Sequence, residues 1–118
     1  MALNDRKVRV TVTCTDREVR ATVRPWAAHV KENQRVKWTA HGRVDDLRIV
    51  TSSAKSARIF TRKPKVSRNG KSAISGRRKE YSPASDGRRI PYSISLHFTD
   101  NKGRRRAAMI DPDMVIDS

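Results

Sequence analysis

Short segments in which apolar and polar residues alternate recur along this chain and constrain its fold more than any other feature. The clearest spans residues 92–98, where every second side chain is apolar, and residues 8–13 and 19–24 repeat the pattern. A period of two places apolar side chains on one face of a β-strand, whereas a helix needs apolar residues at i, i+3, i+4 and i+7. No stretch of comparable length has the helical spacing. The chain is therefore predicted to be all-β.

Further segments raise the number of predicted strands to about seven. Residues 35–40 and 47–50 supply two of them, and residues 109–116 supply one or two short ones. A polar turn connects the first two strands, and Pro25, which lacks a backbone N–H, ends the second. Short strands separated by turns are typical of an antiparallel sandwich or barrel. The chain also has the length of one domain, so residues 1–118 are predicted to form a single antiparallel β-sandwich.

The distribution of charge is the second strong feature. Eleven Lys and Arg residues and no Asp or Glu fall between residues 47 and 79, and the whole chain has a formal net charge of +15. Residues 51–89 are rich in Ser, Lys and Arg without sustained alternation, so they are predicted to form a long basic loop inserted in the sandwich. Such a surplus of positive charge favours a polyanionic partner. The alternative, that the charge only keeps the protein soluble, explains the clustering less well, because Asp and Glu serve solubility better.

Nucleic acid, either DNA or RNA, is the predicted partner, bound through its phosphates with weak sequence specificity. The predicted contacts are cationic side chains of the basic loop and of two later turns: Arg62, Lys63, Lys65, Arg68, Lys71, Arg77, Arg78, Lys79, Arg88, Arg89, Arg104, Arg105 and Arg106. The loop side chains are expected to be solvated, so that reversing their charge leaves stability nearly unchanged. Arg9, Arg20 and Lys37 belong to a predicted sheet face that the loop need not share, and they are expected to matter less.

Two aromatic residues bear on the kind of nucleic acid. Alternation assigns the others to the core, which leaves Trp26 and Tyr81 as candidate stacking platforms or, more simply, as packing residues. A single-strand binder needs such platforms, whereas a binder of duplex or of folded RNA does not.

A structural or assembly module is the alternative function. In that reading the sheet edges pair between subunits of a homo-oligomer, or the basic loops face an acidic protein partner. An anionic membrane surface is a weaker candidate, because no lipidation motif or apolar segment of about 20 residues supports membrane insertion. The N-terminal residues lack the apolar segment of a secretory signal, and a single cysteine, Cys14, agrees with a reducing compartment. A cytoplasmic location is therefore expected.

Four short motifs are similar to those of a known family. They are Pro25, the VKWT strand at residues 36–39, YSI at residues 92–94 and IDPDMVI at residues 110–116. In these motifs the chain resembles the small bacterial DP-EP proteins, and the resemblance spans most of the chain outside the basic middle. It implies a cupredoxin-like or immunoglobulin-like sandwich. The family has no established reaction to transfer, and the basic segment departs from its usual pattern.

A cupredoxin-like fold raises the question of copper, which blue-copper sites bind with two His and one Cys thiolate, often with an axial Met. Cys14 falls at the end of the first predicted strand, and no cysteine accompanies His97 or the loop at residues 100–108. We therefore predict no metal and no cofactor. The close acidic pairs at residues 45–46 and 111–113 lack a metal-binding loop, and no nucleophile elbow or phosphate-binding loop occurs. The chain is predicted not to be an enzyme.

Overall fold

The computed structural model describes residues 3–51, 59–80 and 89–117, so residues 52–58 and 81–88 of the predicted basic loop lie outside the described ranges. Every regular element within these ranges is a β-strand, which confirms the all-β prediction. The strands are β1 (Arg6–Cys14), β2 (Val19–Arg24), β3 (Ala27–Lys31), β4 (Val36–Gly42), β5 (Val44–Val50), β6 (Lys65–Val66), β7 (Ser72–Ile74), β8 (Arg89–Pro91), β9 (Ser93–Thr99), β10 (Arg105–Ile110) and β11 (Asp113–Asp117). A search of the described residues finds no helix of the length and apolarity needed to cross a membrane.

The strands form three hydrogen-bonded sheets with the orders β2-β1-β4-β7-β6, β10-β9-β5 and β3-β11-β8. β1 and β2, which the sequence predicts as two strands joined by a polar turn, form an antiparallel hairpin with Val10 opposite Val23. Two other pairs are parallel, β1 with β4 and β3 with β11. The prediction of a purely antiparallel arrangement is wrong for these pairs, because alternation reports which face of a strand is buried and not the direction of its neighbour. Parallel neighbours need a crossover connection, and β2 and β3 supply it between β1 and β4.

The inward faces of all three sheets contribute to one apolar core. On β1, the side chains of Val8, Val10 and Val12 are at most 1% exposed. Trp38 of β4 and Phe98 of β9 are also buried, as the alternation predicts. Full burial of an apolar side chain of this size contributes about 1.5–3 kcal/mol relative to exposure. β1, β4 and β9 therefore bury the faces that the alternation predicts, whereas Val19, on the predicted inward face of residues 19–24, is 40% exposed.

The loop prediction is wrong for Lys65–Val66 and Ser72–Ile74, which are strands of the five-stranded sheet. β7 pairs with β4 and places Ala73 opposite Trp38, while β6 pairs with the free side of β7. Phe60 is buried in the core and forms an isolated β-bridge with Arg78. Strands of two and three residues are too short to show alternation. In the sequence, this Ser-rich and basic segment is therefore indistinguishable from a loop.

The turn between β6 and β7 is held by its own side chains and by contact with β5. The Asn69 Oδ1 atom accepts a hydrogen bond from the Lys71 backbone N–H at 2.9 Å. Gly70 has a φ of +73°, and its carbonyl accepts the Leu47 N–H at 2.9 Å. A Cβ atom on Gly70 would lie 2.6 Å from the Cβ atom of Asp46, so only glycine fits here. The hairpin is thereby fixed against the rest of the molecule.

Candidate nucleic-acid interface

The outward face of the five-stranded sheet carries mainly cationic and hydroxyl side chains. On β1 the inward positions are occupied by Val8 and Val10, so Lys7 and Arg9 lie on the outward side, where they are exposed. The register of the β1–β2 hairpin pairs Arg9 with Arg24, which is also exposed. The first two strands therefore place three cations on one surface.

The same surface continues across β4, β7 and β6. Lys37 of β4 is paired with Lys7 on one side and with Ile74 on the other, and Ile74 is also paired with Lys65 of β6. Neighbouring strands are about 4.8 Å apart, so the Cα atoms of Lys7 and Lys65 are about 14 Å apart along this row. The remaining outward positions hold Thr11, Thr13, Arg20, Thr22, Thr39, His41 and Ser72. The surface that carries Lys7, Arg9, Arg24, Lys37 and Lys65 is called the basic sheet face below.

Ion pairs occur at both ends of the basic sheet face. Arg35 contacts Asp5 through two N–O distances of 2.9 and 3.3 Å. At the other end, Arg20 contacts Glu18 at 3.2 Å. Between these pairs, no carboxylate in the described part of the chain lies within 4.0 Å of the five cations of the face. Their charge is therefore not neutralised by any described side chain.

Two cross-strand pairs on this face join like charges. Arg9 is opposite Arg24, and Lys7 is opposite Lys37. Like charges in directly opposite positions destabilise a sheet. The cost is of the same order as the gain from a favourable cross-strand pair, which is roughly 0.2–1 kcal/mol. Salt at about 0.1 M screens them incompletely, because the Debye length of about 10 Å exceeds the spacing between strands. A bound polyanion would relieve this repulsion by placing negative charge between the paired cations.

An open groove of about 390 Å³ lies at the β6–β7 end of the basic sheet face. Lys37, Lys65 and Arg68 contribute cationic side chains to it, whereas Val66 and Ile74 contribute apolar surface. The groove continues the cationic surface from β4 to the β6–β7 turn.

The exposed residues of segment 59–80 include seven of the contacts predicted from the sequence: Arg62, Lys63, Lys65, Arg68, Lys71, Arg77 and Lys79. Two of these also make local bonds. The Lys71 ammonium group donates to the Val44 carbonyl, and the Arg77 guanidinium group donates to the Asn33 carbonyl at 3.1 Å. Lys65 belongs to the same row as Lys37. The sequence left open whether the basic segment shares the sheet face of Lys37, and the structure shows that it does, because the β6–β7 hairpin lies directly beside β4.

Arg78 is the clearest correction among the predicted contacts. Its side chain is only 4% exposed, so it is not the solvated loop residue that the sequence suggested. The guanidinium group donates to the Lys79 carbonyl at 3.2 Å and to the Asp117 carbonyl at 3.1 Å. Burial lowers the pKa of Arg78 below its ordinary value, and the negative charges of Glu32 and Asp117 oppose that effect. The residue ties the 59–80 segment to the end of β11 and cannot reach a phosphate in this conformation.

Two arginines of the β9–β10 turn region share one carboxylate. Arg104 and Arg106 contact Asp100 at 3.3 and 3.7 Å. Backbone N–H groups of Arg104 and Lys102 both donate to the Asp100 Oδ1 atom at 2.9 Å. These bonds, that of Arg104 foremost, hold the pKa of Asp100 below its usual range. An open cleft of about 280 Å³ beside them also includes Glu18, so its charge is mixed rather than cationic.

The other predicted arginines are also paired or lie outside the described ranges. Arg105 contacts Asp46 at 3.1 Å, and Arg89 contacts Asp113 at 2.9 Å. Exposed pairs of this kind contribute little to stability, about 0–1 kcal/mol, but the carboxylates reduce the local positive potential. Arg89 and the β10 arginines belong to the other two sheets, so they do not extend the basic sheet face. Arg88 lies outside the described residues.

Exposed aromatic surface is scarce near these cations. Trp26 is 49% exposed and follows Arg24 by two residues, beyond the end of β2. None of the described outward ladder positions on the basic sheet face holds Phe, Tyr or Trp. Tyr81, the other candidate platform, lies outside the described residues.

Sequence reasoning missed Lys7 and Arg24 as members of the candidate site and assigned Arg9 and Lys37 to a surface of lesser importance. The alternation within β1, β2 and β4 already places all four residues on outward faces. What the sequence does not reveal is the order of the strands, which brings the outward faces of β1, β2 and β4 into one surface.

No protein-family model matches this chain, and no curated protein matches it. Among the described residues, no group of three or more His, Cys, Asp or Glu side chains could hold a metal ion.

Proposed function

We propose that this protein is a non-enzymatic nucleic-acid-binding protein that contacts phosphates with little sequence specificity. The observation that carries the proposal is that two cross-strand pairs on the basic sheet face join like charges, Arg9 with Arg24 and Lys7 with Lys37. A face that costs folding free energy in this way is accounted for if an anionic ligand occupies it.

Nucleic acid fits this surface because its charge is regularly repeated. Lys37 and Lys65 lie two strands apart in one row, so their Cα atoms are separated by about 9.6 Å. Thr39 and Ser72 lie beside them in the next outward row and can donate hydrogen bonds to phosphate oxygens. Hydroxyl and cationic contacts to phosphates position a protein on nucleic acid without reading its bases.

The test is a binding titration with charge-reversal variants in the groove of the basic sheet face. Lys65→Glu/Arg68→Glu removes two exposed cations and adds two carboxylates, and we expect at least a tenfold loss of affinity for nucleic acid at about 0.1 M salt. Stability should stay within about 0.5 kcal/mol, because both side chains are exposed. Fluorescence anisotropy with labelled DNA and RNA measures the affinity, and thermal unfolding checks the fold.

Arg17→Glu/Lys102→Glu is the matched control, since it makes the same change of charge on exposed residues. These residues line the mixed-charge cleft rather than the basic sheet face. The control should lose much less affinity than the groove variant. Equal losses would show that only net charge matters, and an unmodified protein that binds neither DNA nor RNA at low salt would refute the proposal.

The finer description of the fold belongs to the same proposal. We place β10-β9-β5 and β3-β11-β8 together as the second layer of a β-sandwich, facing the five-stranded sheet. Trp38 of the five-stranded sheet packs edge to face on Tyr92, with ring centroids 5.8 Å apart, which supports the packing of two layers. The resemblance to the DP-EP proteins supports a cupredoxin-like or immunoglobulin-like arrangement. An experimental structure tests it.

An assembly module is the second candidate function, supported by one observation. Among the described strands, β10 pairs only with β9, and its residue Met109 is 61% exposed. An unpaired strand edge with exposed apolar surface can pair with a second copy. Light scattering over a range of protein concentrations tests this alternative, and Met109→Lys should weaken any dimer that forms through β10.

A further inference from the structure

The basic sheet face carries no Phe, Tyr or Trp side chain at its described ladder positions, and this absence bears on the physical form of the ligand. We infer that the face binds double-helical nucleic acid in preference to single strands, which rests on the proposed function. Proteins that bind single strands combine a cationic groove with aromatic side chains on which bases stack, each stacked base contributing about 1–3 kcal/mol. Phosphate contact is therefore the interaction that this face offers.

The cations form a band that runs across the strands. Lys7, Lys37 and Lys65 occupy one row, and Arg9 and Arg24 occupy the next. Rows of the same face are about 6.8 Å apart, and the four gaps between the five strands give the band a length of about 19 Å. Because hydrogen-bonded ladders hold the backbone of every member, the spacing of the band is rigid.

A rigid band of charges suits a rigid polyanion. A duplex carries one negative charge per about 1.7 Å of its axis, twice the linear density of one of its strands. The length of duplex beside the band therefore carries about eleven charges, compared with about six for one strand in the same geometry. A flexible single strand must also be ordered along the band, without base stacking to offset the entropy.

The one exposed tryptophan of the described residues lies near the edge of the face. Its removal distinguishes binding by base stacking from binding by phosphate contact. Trp26 lies beyond the end of β2, two residues after Arg24. If bases stacked on Trp26, its removal would weaken single-strand binding. If the phosphates of a duplex lie across the band, removal of Trp26 leaves duplex affinity unchanged, whereas loss of Arg9 and Lys37 reduces it.

The experiment measures anisotropy with a 20-bp DNA duplex, its separate strands and the corresponding RNA duplex and strand, at equal phosphate concentration. At about 0.1 M salt we expect the duplexes to bind at least about tenfold more tightly than the single strands. In Arg9→Gln/Lys37→Gln the negative slope of log K against log salt should become shallower by about 1.8 for the DNA duplex, since two phosphate contacts are lost. Trp26→Ala should leave duplex affinity within about twofold of the parent.

Arg17→Gln/Lys102→Gln is the control for a loss of two positive charges elsewhere, and it should change the slope much less. Single strands that bind as tightly as duplexes would overturn the inference while leaving the proposed function in place. Unchanged duplex affinity in Arg9→Gln/Lys37→Gln, with binding otherwise intact, would show that the duplex lies on another surface. Failure of every nucleic acid to bind would refute the proposed function itself.

Discussion

Tyr92 and Trp38 share a buried hydrogen bond in the core. The indole N–H of Trp38 donates to the Tyr92 hydroxyl at 3.0 Å. Burial raises the pKa of Tyr92 to about 12, and the hydrogen bond from Trp38 partly opposes this rise. In the unfolded chain the pKa of a tyrosine hydroxyl is about 10. Since the folded state holds the proton more strongly, this contribution to stability is fully present below about pH 10 and is lost as pH rises towards 12.

Tyr92→Phe tests this pair. The substitution keeps the ring but leaves the Trp38 N–H without its acceptor, so the free energy of unfolding at pH 7 should fall by about 1–3 kcal/mol. Between pH 9 and pH 11 the variant should lose less stability than the parent, because it lacks the buried hydroxyl. Urea unfolding at each pH measures both effects, and lysine titration affects the two proteins equally. Parallel losses in the two proteins would contradict the role of Tyr92.

At the scale of elements, the attachment of the 59–80 segment depends on Arg78. Its backbone N–H donates to the Gln34 carbonyl at 2.9 Å, and its carbonyl accepts the Asn33 N–H at 2.8 Å. Its guanidinium group reaches the Asp117 carbonyl on β11. The side chain thus connects the β6–β7 segment to the end of a strand in another sheet.

Arg78→Ala should lower the free energy of unfolding by about 1.5–3 kcal/mol, the usual effect of losing hydrogen bonds to a charged group. The neighbouring exposed Arg77 is the control, and Arg77→Ala should cost no more than about 0.5 kcal/mol. Chemical denaturation measures both. Reversing Arg77, Arg78 and Lys79 together should therefore destabilise the protein measurably, against the expectation from the sequence. A fully stable Arg78→Ala that loses nucleic-acid affinity would show that Arg78 is a contact and not a structural tie.

The long alternating segments were predictable because each one reports its own buried face. The structure confirms residues 8–13, 19–24 and 47–50 as strands, and it confirms 35–40 and 92–98 except for their first residues. β3 was not predicted, because its five residues include two alanines and a histidine and so lack strong β-propensity. β6 and β7 are shorter still, and their pairing depends on partners distant in the chain.

The candidate site was predictable in its charge but not in its arrangement. The sequence shows that Lys65 and Arg68 lie in a basic segment, and they are exposed as expected. It does not show that Lys65 shares a row with Lys37, because that depends on strand order. It also does not distinguish exposed Arg77 from buried Arg78. Both are arginines of the same basic segment, and only tertiary packing makes their exposure differ.

At the scale of the whole molecule, charge acts on folding and on binding in opposite directions. The chain has 27 basic and 12 acidic residues, for a net charge of +15. Such an excess destabilises the compact state by self-repulsion. The Debye length is about 10 Å at 0.1 M salt and 3 Å at 1 M, so only concentrated salt screens cations on neighbouring strands. Salt should therefore stabilise the free protein while it weakens the complex with nucleic acid.

Arg9→Thr tests this opposition with one substitution. It removes the repulsion between Arg9 and Arg24 and introduces a residue that favours strands, so the melting temperature at low salt should rise by roughly 1–5 °C. Raising NaCl to about 1 M should increase the melting temperature of the parent and reduce its difference from the variant. Arg105→Thr, which breaks a contact with Asp46, should not stabilise the protein. The negative slope of log K against log salt for duplex DNA should become shallower by about 0.9 in Arg9→Thr, since one phosphate contact is lost. A lower melting temperature for Arg9→Thr, or destabilisation of the parent by salt, would show that repulsion on the basic sheet face does not limit stability.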